Sequence, residues 1–324
     1  MKKMINTQEE LDAIPTDFKG DIIIKDNNNS LIVNKLYFNA CVNIYRSNVI
    51  LKNDACVVAW DDSKIVAYEH ARVVTHDNVL VKIYDKARCV AYDNACVEAY
   101  NKSLVFAYNN SKVFASNEAV IFAHDDAKTS FYDDSRGFVY DNVDVYASEN
   151  SIISAFNNVN VGADVYAKVI AHDNVKVYAS NETFVKAYDE ANIKLRESSE
   201  CEAYNEAKVE THDLVNLKAF DNVKINSYND SFIQVFNSAY VNSYDDSRII
   251  AFDNVHVEAH DYVKCVVHNN CFVKAYDESN IELYNNAKTL ILNSAKVKIK
   301  DFTKNLMDNN SIKKKKKSFM ELDI

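Results

Sequence analysis

Glycine and proline are almost missing from this chain: three glycines and one proline in 324 residues. Sites that cradle phosphates or dinucleotides are built on glycine-rich loops, so P-loops, dinucleotide turns and nucleophile elbows are excluded. No run of 18 apolar residues is present, so no segment reads as a membrane-spanning helix. The opening ten residues carry lysines but no apolar stretch, which does not read as a secretory signal. Seven cysteines, odd in number and irregularly spaced, give no disulfide framework and no CxxC pair. A reducing compartment is the simpler expectation, and the location expected is cytoplasmic or virion-associated.

Aromatic residues are abundant, with 20 Tyr and 16 Phe, and they recur with a fixed period. From Ala59 to Lys298 the chain reads as 30 uninterrupted blocks of eight. Counting Ala59 as position one, position five is Ala, Ser, Val, Thr or Cys in all 30 blocks. Position one is Ala in 18, and position seven is Val, Ile or Leu in 24. Position three is Asp or Asn in 26, and position two is Tyr, Phe, His or Trp in 24. Positions six and eight vary and are often charged.

Positions five, seven and one are two residues apart, so they share one face of a strand. A helix cannot hold this pattern, because a period of eight drifts against 3.6 residues per turn. Each block therefore predicts a strand of about five residues followed by a corner at positions two to four. Asp and Asn at the corner tolerate left-handed backbone and bond nearby main chain, which replaces glycine. One such strand has no core of its own, whereas stacked copies do. The expected fold is all-β, a parallel β-solenoid. His or Phe at position two falls in ten blocks, eight of them even-numbered from Ala59, which predicts two alternating faces and a flat sixteen-residue coil. Fifteen such coils at about 4.8 Å each make a rod of roughly 70 Å. Its thin Ala/Ser/Val interior leaves no room for a buried ligand.

Four regions follow. Residues 1–21 form an N-terminal cap, with Thr7-x-x-Glu10 reading as a capping box before a short helix that Pro15 stops. Residues 22–58 are entry coils with imperfect repeats, 59–298 the regular solenoid, and 299–324 a frayed end and a lysine-rich tail. Phe18–Lys25 reads as the entering strand, with Gly20 at its turn. The five lysines Lys313–Lys317 lie in a tail expected to be disordered, able to touch phosphate or a membrane surface or simply to solubilise.

Catalysis is not expected. His76, His124 and His172 are 48 residues apart, three coils, too far to share a metal, and read as substitutes for tyrosine in an aromatic ladder. Calcium solenoids need Gly-Gly corners that this chain lacks. Carboxylates form a regular ladder, not the isolated pair of a glycosidase, and no insertion builds a substrate wall. No cofactor or metal is expected. Cys89, Cys201, Cys265 and Cys271 fall at core positions, while Cys56 and Cys96 fall at a variable one. The net charge of −10 disfavours direct nucleic-acid binding by the body of the rod.

Blocks such as Ala91-Tyr-Asp-Asn-Ala-Cys-Val-Glu98 and Ala187-Tyr-Asp-Glu-Ala-Asn-Ile-Lys194 resemble octapeptide-repeat β-solenoid proteins of bacteriophages, prophages and gut bacteria, over about 260 residues. In that family the corner often reads Tyr-Gly-Asn, where this chain has Asp or Asn in place of glycine. The resemblance implies the solenoid and, loosely, a phage-associated or bacterial setting; it carries over no catalytic residues. The leading expectation is a rigid non-enzymatic scaffold or interaction rod, with a protein partner or self-association. Its contact surface is expected at Tyr68, Tyr92, Tyr100 and Tyr108 of the aromatic ladder and at the outward Phe106, Phe114 and Phe122. Two-block coils predict that Phe106 and Phe122 are direct neighbours. The alternatives are an acidic DNA-mimic inhibitor of a DNA-binding protein and a glycan-binding adhesin.

Overall fold

In the computed structural model, which describes residues 1–300, the chain winds into two flat parallel sheets pressed face to face. Sheet A has 19 strands and begins with Lys2–Ile5, Gly20–Lys25, Ala40–Tyr45 and Cys56–Trp60. Sheet B has 17 strands and begins with Leu31–Val33, Asn48–Leu51 and Lys64–Ala67. Successive strands alternate between the sheets. From Lys64 on, each strand residue pairs with the one sixteen further along, as Cys96 does with Lys112 and Phe106 with Phe122. This is the two-block coil that the parity of the aromatic residues predicts. Nineteen rungs at about 4.8 Å give sheet A a length of roughly 86 Å.

Each block contributes positions six, seven, eight and one to a strand, four residues rather than five. Position five is buried too, but already lies in the corner: Ala71 N–H donates to Tyr68 C=O at 3.1 Å, closing the turn. Positions five, seven and one fill the core, and positions six and eight point outward. In all 30 framed blocks the position-three residue has positive φ, from Asp61 to Asn293. The left-handed region costs an L-residue with a Cβ energy, least for Asp and Asn, which explains their near-monopoly there.

The side chains of these corners do more than tolerate the backbone. The Asp77 carboxylate accepts the Asp61 N–H at 3.3 Å, Asp125 accepts that of Asn109 at 3.0 Å, and Asp245 that of Asn229 at 3.2 Å. Where Asn occupies the position it donates the other way, as Asn109 Nδ2 does to Asp93 Oδ1 at 3.3 Å. These Asp and Asn side-chain bonds therefore run from coil to coil, clasping the corners as the sheets clasp the strands.

One pair of core residues breaks the small-residue rule. Phe131, at a position usually Ala, is fully buried. Gly137, at a position usually Val, faces it from the other sheet: a Cβ there would lie 2.5 Å from Phe131 Cζ and 3.0 Å from Ile153 Cδ1. The ring occupies the volume that a valine would have filled.

At the N-terminus the capping box is present, with Thr7 Oγ1 accepting the Glu10 N–H at 3.3 Å before the helix Gln8–Asp12. The entering strand differs from expectation. Lys2–Ile5 forms a rung ahead of Gly20–Lys25, its short Lys-Lys-Met-Ile run lacking the block signature. Gly20, at φ +133°, stands where a Cβ would lie 2.1 Å from the Met1 carbonyl oxygen. The first strand of sheet B has no strand before it. Gln8 takes that place: its amide donates to Ile32 C=O at 3.0 Å and accepts the Ile32 N–H at 2.8 Å. A side chain thus satisfies a sheet edge that would otherwise invite pairing with another chain. The expectations for the lysine-rich tail fall on 301–324, outside the described residues. Among the described residues no helix is long and apolar enough to cross a membrane.

Candidate interaction surfaces

Two edges and two flanks make up the surface of the rod. Because the coil returns every sixteen residues, position-two residues of even and odd blocks stack on opposite edges. One edge carries an unbroken column of sixteen rings from Tyr45 through Trp60, His76, Tyr92 and Tyr108 to Tyr284, with neighbouring centroids 4.2–6.3 Å apart. Tyr68 and Tyr100 lie on the other edge, joined through Tyr84 at 5.2 and 5.0 Å. The four tyrosines expected to form one stretch are therefore divided two and two. Stacked, half-buried rings present their rims to solvent, so these columns first of all stabilise the corners.

The second edge is interrupted. Its column reads Tyr100, Ser116, Tyr132, then Ser148, Asp164, Ser180 and Arg196 before rings resume at His212. Four consecutive corners there also carry a second positive φ, at Asn150, Tyr166, Glu182 and Ser198. Two sequence signals mark them: the loss of the aromatic residue at position two and, in three of the four, a departure from Asp or Asn at position three, at Glu149, Val165 and Glu197.

Three of the four histidines in the continuous column sit between rings and beside acids. His76, His124 and His172 place Nδ1 at 3.6, 3.5 and 3.7 Å from Asp93, Asp141 and Asp189. Each acid is the position-three residue of the next coil, so the pairing repeats with the fold. Among the described residues no three His, Cys, Asp or Glu side chains are grouped to hold a metal ion.

Contrast between the flanks is the most informative feature. On sheet A, position eight is apolar for six consecutive rungs: Val58, Val74, Val90, Phe106, Phe122 and Phe138. The three phenyl rings stack at 5.2 and 5.0 Å. Leu104, Val120 and Ile152 widen the strip at position six, and Arg72, Arg88, Arg136 and Lys168 rim it. From Cys56 to Lys186 positions six and eight of this sheet contain no acid. Phe106 and Phe122 are neighbours as the two-block coil requires. Phe138, which extends their stack, follows Gly137 and was hidden by that departure from the repeat. Phe114 does not join them: it belongs to sheet B, 44% exposed on the opposite flank.

Sheet A has an ion pair beyond the strip, Lys186 with Glu202 at 3.0 Å, and sheet B outside its central rungs mixes outward Ile50, Val66, Leu80 and Leu290 with charged rungs. Lys82 meets Glu98 at 2.7 Å, Lys194 meets Glu210 at 3.1 Å and Lys274 meets Glu258 at 2.8 Å, each one rung apart. The Lys82 ammonium, together with the Tyr100 hydroxyl donating at 2.9 Å, holds the Glu98 carboxyl below its ordinary range. Exposed pairs of this kind contribute little to stability, but they keep the flank wet.

Comparison with protein-family models, with curated proteins and with solved structures finds no match to this chain.

Proposed function

We propose that the chain is a rigid, non-enzymatic scaffold, an interaction rod that uses the outward flank of sheet A to bind protein, in the first place a second copy of itself. One observation carries this reading: six consecutive rungs of apolar outward side chains on sheet A, with no acid at its outward positions from Cys56 to Lys186. Solubility alone would treat both flanks alike. Large contiguous apolar patches on soluble proteins mark contact sites, and buried aromatic anchors with arginine dominate contact energies. The basic rim fits an acidic counter-surface, which the Asp-lined edges of a second rod supply. Stacking adds stiffness, because each coil is fixed to the next by strand ladders, corner carboxylates and rings. The resemblance to phage and prophage octapeptide-repeat proteins extends the proposal to a structural or accessory part of a phage-associated assembly.

Light scattering on the full-length protein and on a Phe106→Asp, Phe122→Asp variant tests it. The wild type is expected to associate and the variant to be monomeric with an unchanged far-UV spectrum. If both stay monomeric at all concentrations, self-association through this flank is wrong and the scaffold reading loses its first partner.

A further inference from the structure

Two places on sheet B lack a ring where the column around them has one. At the edge, Ser116 stands between the rungs of Tyr100 and Tyr132, over an open cleft of about 400 Å³ that also touches Glu98 and Phe114. On the flank, Gly162 pairs in register with Tyr146 on one side and Tyr178 on the other. These two tyrosines are 41% and 57% exposed and border a cleft of about 330 Å³. A Cβ at Gly162 would meet nothing closer than the Val145 carbonyl oxygen at 3.8 Å and Tyr146 Cδ2 at 4.0 Å, so the space above it is open.

Spacing defines what the gaps can hold. In the filled phenylalanine column of sheet A, rings follow one another at 5.0–5.2 Å. At the Ser116 gap the flanking Tyr100 and Tyr132 are two rungs apart, about 9.6 Å, which leaves space for one six-membered ring at the same distance from each; at the Gly162 gap the Tyr146 ring is tilted against Tyr132, with centroids 5.9 Å apart. The strands that carry Ser116 and Gly162 are three rungs apart, about 14 Å along the rod axis. The surroundings are polar: Asn160 Nδ2 donates to Asp144 Oδ1 at 3.1 Å beside the Gly162 gap, and Ser116 Oγ bonds Asp133 at the other. Nucleic-acid bases would also stack, but their phosphates would meet Glu98, Asp133 and Asp144, with Lys128 the one cation of the two linings, on a chain of net charge −10. A neutral sugar offers apolar ring faces for tyrosine and hydroxyls for Asp and Asn, without that repulsion.

We propose that the central rungs of sheet B bind neutral glycans, the Ser116 and Gly162 gaps each seating one pyranose ring. The Gly162 gap lies on the flank opposite the apolar strip and the Ser116 gap on an edge, so the rod can hold a protein on one side and a glycan away from it. The same rungs carry the altered corners at Asn150, Tyr166 and Glu182, where local regularity is given up.

Saturation-transfer NMR on the full-length protein, with cellohexaose, maltohexaose and chitohexaose as probes, tests the proposal. At least one is expected to bind, and Ser116→Tyr with Gly162→Tyr, which refills both columns, is expected to weaken it at least tenfold. Register neighbours of both positions include tyrosine, and far-UV circular dichroism checks that the refilled rod folds. Phe106→Asp with Phe122→Asp should leave binding unchanged, which separates this site from the proposed protein flank. The proposal is overturned if none of the three oligosaccharides binds, if the refilled protein binds as well as wild type, or if N-acetyltryptophanamide takes the gaps while the sugars do not.

Discussion

Phe131 and Gly137 offer a sharp test of how the core is packed, because the structure makes them compensate for one another across the two sheets. In other coils these positions are usually Ala and Val. Phe131→Ala removes a fully buried ring opposite a residue with no side chain, so little can relax into the void, and the expected cost is about 3–5 kcal/mol. Gly137→Val places its Cβ 2.5 Å from Phe131 Cζ and 3.0 Å from Ile153 Cδ1, before its two methyls are added. Overpacking of that kind costs about 1–3 kcal/mol. The double variant restores the commonest pair and should lie within about 1 kcal/mol of wild type, giving a coupling of at least 3 kcal/mol. A long repeat array does not unfold as one unit, so the assay is native-state hydrogen exchange at the amides of the strands Val120–Ala123, Arg136–Val139 and Ile152–Ala155. If the two single costs simply add in the double variant, the ring and the glycine are independent and the compensation argument fails.

Three further outcomes follow from the same geometry. Gln8→Ala should destabilise the first rung of sheet B by about 2 kcal/mol, the net value of two hydrogen bonds, and increase concentration-dependent aggregation; unchanged exchange at Ile32 would contradict the capping role. The Asp133 carboxyl, held below its usual value first by the Ser116 hydroxyl and then by the Asn117 N–H, should titrate below 3.8. Its contribution to stability is complete above the ordinary value and lost as pH falls through the depressed one; a carboxyl-carbon NMR titration with a midpoint at or above 3.8 would refute this. Burial pushes the Cys89, Cys201 and Cys265 thiols far up, so in the native rod a thiol-disulfide reagent should label Cys41 and Cys56 and spare those three.

The repeat carried most of the fold. A period of eight, with small, branched and small residues at spacing two, admits stacked short strands, and the even-block bias of His and Phe supplied the coil size. What escaped were features whose signal is a single departure. Phe131 and Gly137 look like two errors until the sheets bring them together. Phe138 hides behind that glycine. Lys2–Ile5 is too short and too charged to read as a rung, yet it pairs fully with Asp21–Ile24. Phe114 is instructive in another way. The same two-block logic that makes Phe106 and Phe122 neighbours sends Phe114 to the opposite sheet, and the four edge tyrosines to opposite edges. The apolar flank was legible only in part, because Val58, Val74 and Val90 become a strip with the phenylalanines only when positions are read every sixteen residues. The coil-to-coil clasps of Asp and Asn had a sequence signal, the Asp/Asn monopoly, but their direction depends on where the next corner lies.

The most direct measurement of the central claim is hydroxyl-radical footprinting of the full-length protein at concentrations where it associates. Each phenylalanine's modification rate would be scaled to its exposure in the single chain. The account expects Phe106, Phe122 and Phe138 to be protected relative to Phe114 on the other flank, with the protection lost on dilution. Equal scaled rates for all four, at every concentration, would show that no second copy covers the apolar flank.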